Sequence, residues 1–154
     1  MSLKNASISV FFPCYNDAKT IGSLVEDALS ILKTLTNNYE VIVVNDGSHD
    51  SSAEVLEKLS RKYRRLKVLT HRKNRGYGGA LRSGFAAATK SLVFYTDGDG
   101  QYDVKELPIL LSLMTPDVNF VNGIKMQRGD AEYRVIFGNL HKFANRWAFW
   151  LPVY

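Results

Sequence analysis

The chain has 154 residues and a mass of 17.4 kDa, with 45% hydrophobic and 23% charged residues, a composition that excludes disordered and collagen-like classes and suits one domain with its own core. Its lone cysteine, Cys14, excludes an internal disulfide, and no Cys/His cluster has zinc-ligand spacing, so a reducing compartment is expected. The net charge of +5 is uneven: Arg61, Lys62, Arg64, Arg65, Lys67, Arg72, Lys73 and Arg75 form a stretch without any acidic residue, and the remainder carries −3. Such a stretch suits nucleic acid, anionic headgroups or a phosphorylated small molecule, and equally a solvated helix end and strand edge. No apolar run approaches the roughly 18 residues of a membrane span, and no signal-peptide pattern opens the chain, which reads as soluble. Met1-Ser2-Leu3 reads as an appended leader, and the apolar end Trp150-Leu151-Pro152-Val153-Tyr154 as a cut through a longer protein.

In chain order, Ile8 to Phe12 is a short β-branched and aromatic run and predicts a buried strand. Ile21, Leu24, Val25, Ala28, Leu29 and Leu32 recur at three- and four-residue steps and predict an amphipathic helix, capped by Asp17 or Thr20. A second strand is expected over Val41 to Val44, and a helix with Val55, Leu56 and Leu59 inward after a start at Ser51-Ser52. Leu66 to Leu69 predicts the third strand, and Ala80 to Ala88 a helix whose small residues suit close packing on a sheet. Leu92 to Tyr95 is the fourth strand; a fourth helix begins between Asp103, paired with Glu106 as a cap, and Leu107, where Pro108 favours the start. Val118 to Val121 is the expected fifth strand. The alternation implies a mostly parallel sheet with helices on its faces, binding ligand beyond the carboxyl ends of its strands.

Polar and glycine residues collect at those strand exits. Asp97 and Asp99 form an Asp-x-Asp pair on the exit of the fourth strand, where the period of two aims both side chains one way. Two converging carboxylates repel unless a cation or proton lies between them, and a hard ion such as Mg²⁺ or Mn²⁺ fits, with Gln101 as a further oxygen. Gly98 and Gly100 permit close approach; the same residues also make an ordinary turn. Asn45-Asp46-Gly47-Ser48 reads either as a turn into a capped helix or as a polar floor on which Asp46 accepts from a base or ribose. Pro13 and Tyr15 either wall a base or simply close the first loop.

Asn74-Arg75-Gly76-Tyr77-Gly78-Gly79-Ala80 fails the dinucleotide fingerprint, since Leu81 stands where the last glycine belongs and the run follows the third strand. No Gly-Lys-Ser/Thr follows, so it is not a P-loop either. It remains a glycine-rich helix start flanked by Lys73 and Arg75, where backbone N–H groups can hold an anion. Cys14 reads as packing. His49, His71 and His141 show no triad-like spacing with Ser or Cys, which gives nucleophilic hydrolysis no support.

Together, Pro13-x-Tyr15-Asn16, Asn45-Asp46-Gly47-Ser48, Asn74-x-Gly76 with Ala80 and Gly84, and Tyr95-Thr96-Asp97-Gly98-Asp99-Gly100-Gln101-Tyr102-Asp103 resemble the family 2 glycosyltransferases of the GT-A fold over Ile8 to Trp150. The resemblance is closest to the branch of dolichol-phosphate mannose synthases and polyprenyl-phosphate glucosyltransferases. It implies a Rossmann-like, mostly parallel sheet sandwiched by helices, with residues 1–123 as a nucleotide-sugar-binding half and 124–154 as the start of an acceptor-side half. Pro13, Tyr15, Asp17, Val44 and Asp46 would contact the nucleotide, with Lys73, Arg75 and Gly76 at its phosphates. Asp97, Asp99 and Gln101 would form the metal site for Mg²⁺ or Mn²⁺, with Asp97 and Asp99 catalytic and Gly98 against the nucleotide-sugar, and Lys125, Arg128 and Arg134 would meet acceptor or donor phosphate.

Asn45 departs from the family's usual Asp-Asp pair and Asp17 stands where Glu is common. The implied reaction is inverting displacement at the anomeric carbon of a UDP- or GDP-sugar by an acceptor oxygen, for which an anionic polyprenyl or dolichyl phosphate needs less help from a general base than a hydroxyl. A cytoplasmic protein is implied, with a peripheral place at the membrane face for Tyr133 to Trp150, whose aromatics alternate with Arg134, His141, Lys142 and Arg146; the same segment suits a helix packed on the sheet. The family's later Asp-Cys-Gly-Phe-like segment would fall after Tyr154, which implies donor binding with poor turnover. Nucleic acid is not the expected partner. The alternatives are a nucleotidyltransferase, a transferase to a saccharide acceptor, and a non-enzymatic nucleotide- or nucleic-acid-binding domain.

Overall fold

The computed structural model describes residues 6–98, 103–115 and 117–123. Its first compact unit runs to Val121 and contains strands β1 (Ser7–Cys14), β2 (Asn38–Asn45), β3 (Leu66–Thr70) and β4 (Leu92–Tyr95) with helices α1 (Ile21–Leu35), α2 (Ser52–Lys62), α3 (Gly76–Ala87) and α4 (Leu107–Ser112). The strands are parallel in the order β3-β2-β1-β4, in a register that sets Val10 against Val41 and Phe94, and Val41 against Leu66.

The period of two explains how one sheet holds helices on both faces. Ile8, Val10 and Phe12 of β1 and Val41 and Val43 of β2 pack with Ile21, Leu24, Val25, Ala28 and Leu32 of α1 and Leu56 of α2. The intervening Phe11, Ile42 and Val44 pack with Ala80 of α3 on the opposite face. After β3 the chain returns across β2 and β1 to lay down β4, and a crossover that reverses direction keeps its hand only by crossing the other face. Close approach there depends on a missing side chain: a Cβ on Gly84 of α3 would lie 2.3 Å from Phe11 Cδ2. Phe11 cannot yield, being wholly buried, edge-on to Phe85 at 4.9 Å and stacked on Tyr95 at 5.3 Å.

The helix starts follow their chemistry. Asp103 accepts from the Lys105 N–H to open a single 3₁₀ turn over Val104–Glu106, and α4 follows with Pro108 in its first turn, so both expected signals act in succession. Helix α3 begins at Gly76, four residues before the expected Ala80, taking the glycine run into its first turn. Among the described residues the expected fifth strand is not formed: Val118 to Val121 has no ladder partner there, and Phe120 is 76% exposed. A strand without a neighbour lacks the pairing that holds one. Strand β4 is correspondingly an edge among the described residues, with Val93 and Tyr95 partly exposed.

At the foot of the sheet, the buried Glu40 carboxylate accepts from Ser9 Oγ, the Thr89 N–H and Thr89 Oγ1, and pairs with Lys67 Nζ at 2.7 Å. Burial opposes its charge, but these donors outweigh burial and bring its pKa down to about 2. Among the described residues, no helix is long and apolar enough to cross a membrane.

Candidate functional site

Helix α1 packs on one face of the sheet and α3 on the other, so the connections to them leave the strand ends toward opposite faces, and a crevice opens at those carboxyl ends. A cavity of about 300 Å³ lies there. From the β1 exit it is lined by Pro13, Cys14, Tyr15 and Asp17, and from the β2 exit by Asp46. The start of α3 contributes Asn74, Gly76, Tyr77 and Ala80, and the β4 exit Asp97 and Gly98.

The β1 exit is tied to the β2 exit by side chains that substitute for regular backbone pairing. Asn16 takes the left-handed conformation at φ 60°, which asparagine tolerates; its Oδ1 accepts from the His49 N–H at 2.8 Å, and its own N–H donates to Ser48 Oγ. Asp17 Oδ2 accepts from the Tyr15 N–H, and the Asp17 N–H donates to Ser52 Oγ. Asn45 Oδ1 accepts from the Ser48 N–H. The Asn45-Asp46-Gly47-Ser48 segment is therefore a turn and a floor at once: Asn45 closes the turn while Asp46 lines the cavity. Gly47, at φ 71°, lies so close to the next loop that a Cβ would meet the Asn74 nitrogen at 2.8 Å.

Asp46 is 3% exposed. Its Oδ1 receives His71 Nδ1 at 2.5 Å and the Arg75 N–H at 2.9 Å. Burial disfavours the charge, but the His71 ring and the Arg75 amide more than compensate and hold the carboxyl below its usual range. His71 Nε2 in turn meets Ser83 Oγ at 2.9 Å. This Asp46–His71–Ser83 chain was invisible in the spacing of the histidines, because it joins two strand exits to the middle of α3. It does not revive hydrolysis, since neither His71 nor Ser83 lines the cavity.

On the opposite wall, Tyr77 Oη donates to Asp97 Oδ1 at 2.8 Å, joining the first turn of α3 to the β4 exit. Thr20 Oγ1 donates to the Gly98 carbonyl at 2.9 Å, and a Cβ on Gly98 would stand 2.5 Å from the Pro13 carbonyl oxygen. The Cys14 thiol, buried in the same wall, is pushed up to about 11, chiefly by burial, and is a neutral packing group.

Of the expected site residues, Pro13, Tyr15, Asp17, Asp46, Gly76, Asp97 and Gly98 are brought together around the cavity. Val44 is not among its lining; it is wholly buried against Phe11, Ile42 and Ala80. Lys73 and Arg75 are exposed beside the cavity and not in its wall, although Arg75 joins it through its main chain. Asp99, Gln101, Lys125, Arg128 and Arg134 lie outside the described residues, as does Tyr133 to Trp150. Among the described residues, no three His, Cys, Asp or Glu side chains cluster as a ligand set. Sequence reading missed Asn74, Tyr77 and His71; the first two stand in the glycine-rich run it singled out, whereas His71 gave no signal.

The basic stretch also resolves differently from its sequence. Arg61 pairs with Glu57 and Lys62 with Glu26. Arg65 donates to the Asn37 and Tyr39 carbonyls and covers the Tyr39 ring at 4.2 Å, and Lys67 pairs with Glu40. Strand β3 carries the chain from Arg64 and Arg65 at the foot of the sheet to Arg72, Lys73 and Arg75 at its head, so the run is two groups at opposite ends.

The family model for glycosyl transferase family 2 matches residues 9–150. Similar curated proteins include the undecaprenyl-phosphate 4-deoxy-4-formamido-L-arabinose transferase of Yersinia enterocolitica, 32% identical over 135 residues, which cover 86% of this chain and 41% of that protein. Another is the dolichyl-phosphate beta-glucosyltransferase of Mus musculus, 36% identical over 119 residues, covering 71% of this chain and 37% of that one. Among solved structures, a mannosyltransferase from Pyrobaculum calidifontis in complex with GDP-Man and Mn²⁺ aligns over 73% of this chain and 34% of its own, with TM-score 0.64 and 23% identity, a likeness of fold. TarS of S. aureus in complex with UDP-GlcNAc aligns over 70% of this chain and 30% of its own, with TM-score 0.56 and 31% identity. The fold is thus the expected α/β, GT-A arrangement, and the chain belongs to glycosyl transferase family 2. It spans about two fifths of the length of the curated relatives it matches.

Proposed function

We propose that residues 1–123 form the donor-binding half, and 124–154 the start of the acceptor side, of a transferase that moves a sugar from a UDP- or GDP-sugar to a polyprenyl or dolichyl phosphate. The observation that carries this reading is the cavity at the β1/β4 crevice, which joins the Asp46 floor to Asp97 at its far wall. The relatives named for undecaprenyl and dolichyl phosphate, and the TarS complex with UDP-GlcNAc, supply the substrate classes.

In this reading Asp46 accepts from the base or ribose, Pro13 and Tyr15 wall the base, and Asp17 sets the loop between them. Lys73 and Arg75, beside the helix start at Gly76 whose N–H donates to Asn74 Oδ1, receive phosphate. Asp17, Asp46 and Asp97 give the wall three carboxylates and no lysine or arginine side chain, so a diphosphate entering it needs its charge offset. Asp97 supplies the hard oxygen chemistry that suits Mg²⁺ or Mn²⁺, with Asp99 and Gln101 as its proposed companions; bound there, such an ion would stabilise charge on the departing nucleoside diphosphate. Lys125, Arg128 and Arg134 are assigned to acceptor phosphate, in a protein held at the cytoplasmic face of a membrane.

Thermal unfolding with UDP, GDP and their sugar conjugates, with and without Mn²⁺, tests this. Ligand at 100 times its Kd adds about 2.7 kcal/mol, or roughly 5–11 °C at about 2–4 °C per kcal/mol for a chain of this size. The nucleotide that shifts the midpoint names the donor class, and Asp99→Asn is expected to remove the Mn²⁺ dependence with the fold retained. No shift with any nucleotide refutes the reading, and a steeply salt-dependent affinity for RNA or DNA indifferent to Mn²⁺ replaces it.

A further inference from the structure

Resting on the reading of Asp46 as the nucleoside acceptor, we propose that His71, held by Ser83, is a positioning residue that fixes the Asp46 carboxylate for nucleotide recognition and couples it to the start of α3. A carboxylate has two oxygens, and Asp46 commits Oδ1 to structure. His71 Nδ1 and the Arg75 N–H both converge on that atom. Neither His71 nor Arg75 lines the cavity, so both hold the carboxylate from outside its lining.

The imidazole is itself fixed at its far nitrogen by Ser83 Oγ. A hydroxyl can donate to a bare ring nitrogen or accept from a protonated one, so Ser83 supports the ring in whichever state keeps Nδ1 a donor. Both partners, His71 and Asp46, are over nine-tenths buried, with side-chain exposures of 7% and 5%. In such surroundings an unpaired carboxylate is costly, and a hydrogen bond to a charged group is worth more than one between neutral groups.

The second consequence concerns the helix. The Arg75 amide on Asp46 sets the residue that caps α3, a helix whose cap makes no side-chain hydrogen bond to the first turn. The same turn is held from the other side by Tyr77 on Asp97. His71 thus reaches both ends of the proposed donor, the base through Asp46 and the phosphates through the first turn of α3, without lining the cavity.

The titratable groups that share the cavity wall with Asp46 are Cys14 and Asp17 from the β1 exit and Asp97 from the β4 exit, and the groups bonded to it are the His71 ring and the Arg75 and Gly76 main chain. The thiol is neutral, and the two other carboxylates give no support to charge on Asp46. Only the bonded groups among these support the ionised form. Removing the imidazole takes away the largest of these supports and leaves burial opposed only by the Arg75 and Gly76 amides, so the carboxyl takes up a proton at a higher pH than in the unaltered chain.

The test uses the full 154-residue chain and calorimetric titration with UDP, or with GDP where that is the nucleotide bound, in Mn²⁺ across about pH 5.5–8. His71→Phe keeps the bulk and removes the donor; it is expected to weaken binding about tenfold or more at neutral pH, with a ratio to the unaltered chain that worsens on acidification. The ratio cancels titration of the nucleotide phosphate. His71→Asn, whose amide nitrogen stands where Nδ1 does, is expected to restore affinity to within about threefold and to flatten the ratio. Ser83→Ala gives a smaller loss and guards against His71→Phe failing to fold, which circular dichroism reports. Nucleotide binding by the unaltered chain together with unchanged affinity and pH profile in His71→Phe, or with no recovery in His71→Asn, overturns this inference alone. Absence of binding by the unaltered chain overturns the donor reading and the inference with it.

Discussion

The closest backbone approach in the cavity wall gives the sharpest prediction. Gly98 follows Asp97 at the β4 exit, and a Cβ built on it stands 2.5 Å from the Pro13 carbonyl oxygen and 3.4 Å from Asp17 Oδ2. Ordinary contact begins at about 3.4 Å, so Gly98→Ala requires the two strand exits to separate by up to about 0.9 Å. The nearest obstacle is main chain within β1, which pairs with β2 through Cys14 and Asn45 and cannot rotate aside as a side chain would. The hydrogen bond from Thr20 to the Gly98 carbonyl resists the same movement. Overpacking of this kind costs about 1–3 kcal/mol, and the midpoint of unfolding should fall by roughly 2–12 °C. Because Asp97 moves with Gly98, Mn²⁺-dependent nucleotide binding should weaken by more than the stability loss accounts for; a displacement of about 1 Å in a site can cost on the order of a hundredfold. Gly78→Ala is the matched control: its Cβ meets nothing within 4 Å, and it lies in α3, where alanine should stabilise by up to about 1 kcal/mol. Differential scanning fluorimetry and calorimetric titration on the two variants decide it. A Gly98→Ala protein with unaltered midpoint and affinity, or a Gly78→Ala protein equally damaged, would refute the reasoning.

Glu40 sets the acid limb of stability. Its carboxyl is depressed from 4.5 to about 2, so its contribution is full above the ordinary value and is lost as pH falls from about 4.5 through 2; the shift corresponds to about 3 kcal/mol. Urea denaturation of Glu40→Gln should show lower stability at neutral pH and a flatter slope over that window, and an unchanged slope would be inconsistent with the network at the foot of the sheet. Cys14, buried and pushed up to about 11, should react with iodoacetamide at pH 7.5 only as fast as the protein opens, so its labelling rate should rise steeply with urea; rapid labelling in native buffer would contradict its burial.

The parts of the molecule legible in the sequence are those decided by local pattern. The repeat of Ile21, Leu24, Val25, Ala28, Leu29 and Leu32 carries a period that only a helix satisfies, and all six are buried in α1. The runs around Val10 and Val43 could be nothing but buried strands once helices flanked them. Asp46 and Asp97 were legible for a related reason, since polar residues directly after apolar strands must stand at strand exits. Val118 to Val121 misled because strand pattern states a capacity to pair, and pairing needs a neighbour as well. His71 was illegible for the opposite reason. Its partners lie 25 residues before it and 12 after it, and the contact exists only because β3 lies beside β2 while α3 crosses back beneath them.

Charge shows the same dependence on topology. Read linearly, the eight cations from Arg61 to Arg75 are one basic surface; folded, β3 sends them to opposite ends of the sheet, and Arg61, Lys62, Arg65 and Lys67 are engaged at or near its foot. The head keeps Arg72, Lys73 and Arg75 on the rim, while the cavity wall carries Asp17, Asp46 and Asp97. Two like charges about 4 Å apart repel by about 4 kcal/mol at an effective dielectric of 20. A diphosphate against this wall is therefore opposed within the cavity and attracted only at its edge. In the proposed reading a neutral base and ribose suffer no such conflict against the Asp46 floor, and the phosphates would be directed toward the basic rim and, with an ion bound, the Asp97 wall. That orientation would place the sugar end of a donor at the β4 exit, the side on which the described sheet has no further strand.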